Sequence, residues 1–442
     1  MPRTRNVRRR TNRQRKQSFH HLVSALTFPM SHKAVAIKPA DDPAFQLPAS
    51  LAGLSLPMII GGIVALVGGA FFSNSAIGGR FGMSSYLVAY MYCLTLAIGS
   101  LFFVLIQHLT RAGWSVVVRR VAELMMIMVI PLALLFIPIA VSAYTGSLYV
   151  WSLEGYQADH GIPSAIWKQK ELWLNPNWFV VRSLIYLTVW CGIAAWYYRG
   201  SQRQDETGEI TITEKLQARS GPAVIAFSFC TSFAAFDWVM SLAPMWFSTM
   251  FGVYIFTGSI LSAHCAICLF SFLLQRAGAM RDEVTVEHYH DLGKLIFGFI
   301  CFWGYISFSQ YMLIWYANIP EETHWFYTRS TDGWFNVSVL LMVLHWGLPF
   351  AGTMSRHVRR RPWLITSWAA YILVLHLVDL YWIIMPEAGM GLGGATGIIA
   401  TLVCVIGMAA LMLGLMLKLA AGTRVVAVRD PRLGESLAFE NF

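Results

Sequence analysis

Ionisable side chains inside long apolar stretches are the residues of this sequence that could carry chemistry. Asp237 lies among aromatic residues, and His376 and Asp379 are three positions apart, which places both on one face of a helix. An ionisable group at lipid depth is costly unless it is paired or hydrated, so each is a candidate for function. Carboxylates and imidazoles at such positions can accept and release protons. The pattern therefore predicts proton transfer.

Two histidines and a glutamine extend this set. His264 and His345 fall near the middle of their apolar stretches, and Gln310 lies toward the same end as Asp379. A buried histidine can equally form a hydrogen bond that fixes the packing of two helices. Packing and proton transfer both remain open for these residues.

Glu123 begins another apolar stretch, close behind Arg119 and Arg120. The spacings of four and three residues allow an ion pair with either arginine. Glu123 is therefore a candidate for the opposite half of a proton route, together with His264, and equally a candidate for a structural ion pair.

Oxidation of a quinol would give these groups a chemical role. The reaction releases two protons with two electrons, and a carboxylate or histidine beside the headgroup can accept them. An apolar cleft lined by aromatic side chains would hold the ring and its isoprenoid tail. Asp237 with its aromatic neighbours and the His376/Asp379 pair both fit this requirement.

Any electron carrier in this chain must be bound non-covalently, or must belong to a partner. His264, Cys265 and Cys268 have a spacing that metal ligands can use, but they lie within an apolar run, so no metal is predicted. A haem held by two histidines would need repeated histidines at matched depth, and no apolar stretch carries them. Glycine-rich nucleotide loops and the cysteine pair that attaches haem covalently are also missing. We interpret the seven cysteines as small buried hydrophobic residues.

The elements that must position these groups are membrane helices. Of the 442 residues 56% are hydrophobic and only 13% are charged, which argues strongly against a water-soluble enzyme. We predict an all-α integral membrane protein, because ten apolar stretches are long enough to cross a bilayer. The predicted spans are 52–73, 84–107, 117–142, 178–198, 222–243, 247–274, 293–317, 333–354, 363–385 and 392–420.

The distribution of basic residues predicts the orientation of these spans. With the N-terminus inside, the inner side holds all but five of the 33 Lys and Arg residues. Such a bias predicts that both termini are cytoplasmic, in a bacterial cytoplasmic membrane. The five residues on the outer side are Arg80, Lys168, Lys170, Arg182 and Arg329.

Three regions follow from this pattern. Residues 1–50 are expected to be a basic, disordered cytoplasmic segment that can contact lipid headgroups, with Met30 as an alternative start. Residues 51–421 form the predicted membrane domain, and residues 422–442 a cytoplasmic tail. We expect membrane lipids, and no nucleic acid, as partners.

Four segments carry a family resemblance: FDWVMSL at 236–242, WFSTMFG at 246–252, HDLGK at 290–294 and FSQYMLIWYANIPEET at 308–323. They resemble the large membrane subunits of alternative complex III, a bacterial quinol:electron-acceptor oxidoreductase. Its two ten-span subunits are related to the NrfD/polysulfide-reductase membrane subunit family. The similarity covers most of residues 50–420, and the short loops look more like the second of these two ten-span subunits than the first.

The resemblance implies a fold and a set of partners. The fold would be two four-helix bundles, made of spans two to five and six to nine, with spans one and ten at the flanks. Iron–sulfur clusters and c-type haems would sit on outer-side subunits, beside a sister ten-span subunit to which the main quinol site is attributed. A quinone, either menaquinone or ubiquinone, could also bind here. Asn318, Glu321 and Glu322 are the candidates for contacts with the outer-side partners.

These observations lead to one expected function and two alternatives. We expect a membrane subunit of a quinol:cytochrome c or other acceptor oxidoreductase that conducts protons or admits quinone, and anchors the redox subunits. Such a subunit would not be catalytic alone, so enzyme activity of the isolated chain is left open. The alternatives are a purely structural anchor and a secondary transporter. A transporter is disfavoured because Pro131 and Pro138 have no counterpart in the second half.

Overall fold

The computed structural model describes residues 38–442 except Ile77, Met390 and Phe442, and residues 1–37 lie outside it. Ten helices of the described chain are long and apolar enough to cross a membrane, and no strand occurs in it. The predicted all-α integral membrane fold of ten spans is confirmed. The spans are α1 Ser55–Ala76, α2 Gly79–Leu109, α3 Val116–Thr145, α4 Pro176–Thr207, α5 Ile210–Trp238, α6 Met250–Ala277, α7 Val286–Ala317, α8 Trp334–Met354, α9 Pro362–Ile384 and α10 Gly394–Ala421.

Short helices occur in five of the nine connections between the spans, and before the first and after the last span of the described chain. They are Pro43–Phe45, Ala49–Ala52, Val150–Ser152, Tyr156–Asp159, Ser164–Glu171, Met240–Leu242, Pro320–Thr328, Arg356–Arg359, Met385–Ala388 and Leu433–Leu437.

The two ends of the membrane domain meet on the same side. The backbone N–H of Val425 donates to the carbonyl of Phe45 over 2.8 Å, and Gln46 pairs with Arg424. We call this side the terminal face and the opposite side the distal face. An even number of spans places both ends on the same side of the membrane, and the contact shows that they also lie close together. Residues 38–50 were predicted to be disordered, but they are held here by backbone hydrogen bonds and by burial of the Phe45 ring.

The spans pack as two four-helix groups, as expected. Helices α2–α5 contact one another around the first group, and α6–α9 do so around the second. Helix α2 also packs on α6, where a Cβ added to Gly99 would lie 2.0 Å from the carbonyl oxygen of Ser259. Only glycine can occupy position 99, because any side chain would clash with the Ser259 carbonyl. The two helix groups therefore pack closely at this point.

Prolines interrupt two of the spans. Helix α3 consists of Val116–Met126, Val129–Leu135 and Ile137–Thr145, and its breaks precede Pro131 and Pro138, since proline cannot donate the backbone hydrogen bond of a helix. Helix α8 contains a π-helical segment, Leu341–Gly347, between the α-helical segments Trp334–Leu340 and Leu348–Met354. A proline at position 349 cannot donate to the preceding turn, and the wider turn accommodates its ring.

Helices α1 and α10 pack together through glycine, and both lie against α2. A Cβ on Gly62 would lie 2.5 Å from the backbone nitrogen of Leu411, and one on Gly407 would lie 2.5 Å from that of Leu66. Small residues at these positions therefore allow the two helices to approach closely.

Replacing Gly62 with Ala should separate α1 from α10. The added methyl group meets backbone atoms, which cannot move aside, so we expect a destabilisation of about 1–3 kcal/mol. Gly61→Ala is the matched control, because no atom lies within 4 Å of its added Cβ. Thermal unfolding in detergent measures both variants, and equal melting temperatures would contradict the close packing.

Candidate functional site

Five buried side chains from four helices form what we call the distal polar cluster: Tyr254 of α6, Trp303 of α7, His345 of α8, and His376 and Asp379 of α9. The Tyr254 hydroxyl donates to Oδ1 of Asp379. The Trp303 ring lies 5.8 Å from the Tyr254 ring and is stacked on His345 at 4.3 Å. The cluster therefore brings together three of the residues that the sequence singled out.

His376 is held at the boundary between the two helix groups. Its Nε2 lies 3.0 Å from the Thr95 hydroxyl of α2, and that hydroxyl donates its own proton to the Tyr92 carbonyl. When the hydroxyl proton is used in this way, Nε2 carries the hydrogen of the neutral imidazole. Nδ1 then keeps a lone pair, and it has no hydrogen-bond partner among the described residues. His376 can therefore accept a proton at Nδ1.

A glycine leaves space beside this nitrogen. A Cβ on Gly258 of α6 would lie 3.5 Å from Nδ1 of His376 and 3.9 Å from the Trp303 ring. Gly258 thus lies beside both His376 and Trp303, so His376 belongs to the same cluster as Trp303.

Several polar atoms around the cluster lack partners in the described chain. Both ring nitrogens of His345 are buried without a hydrogen bond, although the carbonyl of Leu375 lies close. On α7, Oε1 of Gln310 has no partner among the described residues. Nε1 of Trp303 and Oγ of Ser307 lie close to Asp379 and Tyr254 respectively, but neither makes a well-formed hydrogen bond, and the three residues share one helix face. Buried polar groups of this kind are normally satisfied by water. The site thus has the donors and acceptors to bind water in a chain.

The position of His345 depends on the irregular part of α8. It lies within the π-helical segment Leu341–Gly347, and such segments occur often at functional sites. Pro349, four residues later, is the sequence signal that could have marked this irregularity.

Arg329 closes the cluster toward the distal face, and the sequence reasoning missed it. Its guanidinium is 1% exposed and donates to the carbonyls of Trp325 and Ile383 and to the carboxylate of Glu387. Ile383 lies one turn beyond Asp379 on α9. Arg329 was counted only as an outer-side charge, because two of its three partners, Ile383 and Glu387, are 54 and 58 residues away in sequence.

Asp237 lies elsewhere, at the distal end of α5 in the first helix group. Its carboxylate accepts two hydrogen bonds from Arg182 of α4, at 2.8 and 2.9 Å, and one from Tyr186 at 2.9 Å. Arg182 also lies over the ring of Trp173. The buried carboxylate is thus fully paired, which favours a packing role over proton uptake. Sequence analysis found Asp237 but not its partner.

Glu123 belongs to a third site near the terminal face, which we call the terminal ion-pair network. It lies 3.2 Å from Arg119 and 3.1 Å from Arg120. Arg119 also binds Asp430 of the C-terminal segment, and Arg120 binds Asp205 of α4, each at 2.5 Å. The structural ion pair weighed for Glu123 is therefore present, and it is part of a network of five charged residues.

His264 is separate from both sites. Its Nδ1 donates to the Ile260 carbonyl over 2.7 Å, and its ring lies between Phe103 and Phe299 at 5.3 and 5.2 Å. These contacts provide packing and connect it to neither cluster directly. A role in a proton route stays a prediction for His264, as it does for Glu123.

The suggested partner contacts lie at the distal face. Asn318 ends α7 in a left-handed conformation, and its side chain and that of Glu321 are exposed, whereas Glu322 is half-buried. The Trp246 ring stacks on Trp325 at 4.5 Å and donates from Nε1 to the Glu322 carbonyl. Two of the motif segments noted in the sequence therefore meet in space.

No protein-family model matches the chain, and comparison with curated proteins finds no significant match. The geometry of the three polar sites and the motif residues therefore carry the functional argument.

Asp430→Asn should destabilise the protein by about 3–5 kcal/mol, because Arg119 would lose one partner of a buried pair. Burial alone would raise the pKa of Asp430, but the charge and hydrogen bond of Arg119 outweigh burial and lower it. The stabilisation by this carboxylate is full above the pKa of an unfolded Asp, about 3.9, and is lost as the pH falls through the lower folded value.

Thermal unfolding at neutral pH and in acid measures this effect. Glu435→Gln is the control, because Glu435 is more than half exposed and lies 3.9 Å from Arg432, a pair worth at most about 1 kcal/mol. Equal stability of the two variants would show that the network contributes little.

Proposed function

We propose that this chain is an integral membrane subunit of a quinol-oxidising complex and that the distal polar cluster conducts protons. The observation that carries the proposal is the enclosure of His345, His376 and Asp379 in one buried cluster, in which three imidazole nitrogens have no hydrogen-bond partner among the described residues. If the cluster served only to pack the helices, side chains with all their hydrogen bonds satisfied by the protein would be enough. Unpaired nitrogens at lipid depth are costly, so their retention favours a functional use.

The cluster has the parts of a proton relay. Nδ1 of His376 can take up a proton, and the Asp379 carboxylate, hydrogen-bonded to Tyr254, can hold one or release it. His345 offers two further nitrogens on the other side of Trp303. Water bound between these groups would complete the path, since proton transfer needs hydrogen-bond contact or one intervening water.

The rest of the assembly is proposed from the motif segments. They favour a subunit of the alternative complex III type, beside a sister ten-span subunit and outer-side iron–sulfur and cytochrome c subunits. Asn318 and Glu321 would face those partners at the distal face. The distribution of Lys and Arg would place the terminal face in the cytoplasm of a bacterium. A quinone would bind outside the enclosed cluster, in this chain or the sister subunit.

A structural anchor is the second candidate function. The bidentate pair of Asp237 with Arg182 and the terminal ion-pair network favour it, because both consist of buried charges with partners from other helices. The two functions are compatible in one chain, since they use different residues.

Asp379→Asn tests the relay. An amide keeps the shape of the side chain and can still bind Tyr254, but it cannot hold a transferable proton. We expect the purified complex to assemble and to lose at least about tenfold in quinol-dependent proton release, a loss within the range for removal of a general acid or base. The measurement is proton release by the complex in liposomes, normalised to the amount of assembled complex.

Asp237→Asn is the matched control, because it makes the same change at a buried aspartate outside the cluster. We expect a lower yield of complex, since Arg182 loses its carboxylate, with proton release per assembled complex unchanged. If Asp379→Asn also lowered only the yield, the relay would be refuted and the anchor would stand.

A further inference from the structure

A fourth site lies at the distal face, on the outside of the first helix group. A cavity of about 260 Å³ opens between the short helix Ser164–Glu171 and the chain from Phe236 to Phe247. Its lining is mainly apolar and aromatic, with Gln169, Lys170 and Ser241 as its polar residues. The lining residues are Gln169, Lys170, Trp173, Leu174, Phe236, Met240, Ser241, Ala243, Pro244, Trp246 and Phe247.

Lys170 provides an incompletely paired positive charge in this cavity. Its Nζ donates to the Pro244 carbonyl over 2.7 Å and lies 6.0 Å from the centre of the Phe247 ring. An ammonium group has three donors, and the structure assigns one of them to a protein acceptor. None of the residues that line the cavity in the described chain carries a carboxylate. The cavity therefore favours an anion at its polar side.

The apolar side of the cavity continues along the lipid-facing surface of α5. The Trp173 ring lies 5.9 Å from Phe233, which stacks on Phe229 one turn deeper at 6.5 Å. Phe229 is 62% exposed, so this surface is open to a hydrocarbon chain. Tryptophan beside lysine at the end of a span is also typical of the membrane interface.

We propose that this cavity binds one anionic phospholipid, with its phosphate at Lys170 and an acyl chain along Phe233 and Phe229. A molecule that joins a negative headgroup to a long apolar chain matches both halves of the site. An uncharged quinone headgroup would leave the ammonium without a counter-charge. Asp237 and Arg182 lie behind the cavity wall, where they neutralise each other, so the charge of Lys170 dominates the site.

The experiment is native mass spectrometry of the full chain in its assembled complex, released from nanodiscs of equal phosphatidylglycerol and phosphatidylcholine. We expect phosphatidylglycerol to be retained, and Lys170→Gln to lower its retention at least about fivefold, the factor for one lost basic charge at an anionic lipid. Lys168→Gln is the matched control, because Lys168 is on the same short helix but does not line the cavity. It should retain the lipid.

A second variant tests the apolar half without changing the charge. Ala243→Leu fills the cavity beside Lys170 and should also lower retention of phosphatidylglycerol. Three outcomes would overturn the proposal: equal retention by Lys170→Gln and Lys168→Gln, equal retention of the two lipids by the unmodified chain, or a co-purifying quinone that Ala243→Leu displaces. Because lipid retention is measured without turnover, these outcomes are independent of the proton relay.

Discussion

Charge pairing at lipid depth is the constraint on which this structure depends. Each buried carboxylate of the first helix group has a guanidinium beside it: Asp237 has Arg182, and Glu123 has both Arg119 and Arg120. The second group departs from this pattern. There Asp379 relies on the hydroxyl of Tyr254, and His345 has no completed hydrogen bond in the described chain. The two groups thus share an architecture but differ in how their buried polar side chains are paired.

Much of the fold was predictable because each membrane span can be recognised from its own residues. Twenty apolar residues in sequence are enough to identify a membrane helix, and the breaks of α3 follow from Pro131 and Pro138 alone. The common face of His376 and Asp379 is likewise a property of one helix. The pairing of Glu123 with its arginines also needed only a spacing within α3. Such features depend on neighbours within about one turn, so the sequence displays them directly.

The partners of the site residues could not be predicted, because they come from distant parts of the chain. Arg182 and Asp237 are 55 residues apart, and Thr95 and His376 are 281 apart. A single sequence contains no signal that joins such positions. The ordered packing of residues 38–50 was missed for the same reason. Its contacts are with residues near 280 and 424, and polar composition alone favoured disorder.

The link between Arg119 and Asp430 has a consequence for biogenesis. The two residues are 311 positions apart, so α3 enters the membrane long before its counter-ion has been translated. Until then Arg119 has Glu123 as its only acidic partner among the residues of the described network. The terminal end of α3 therefore reaches its final state only after Asp430 has been translated. Removal of the segment that carries Asp430 should consequently destabilise the third helix, although the two are far apart in sequence.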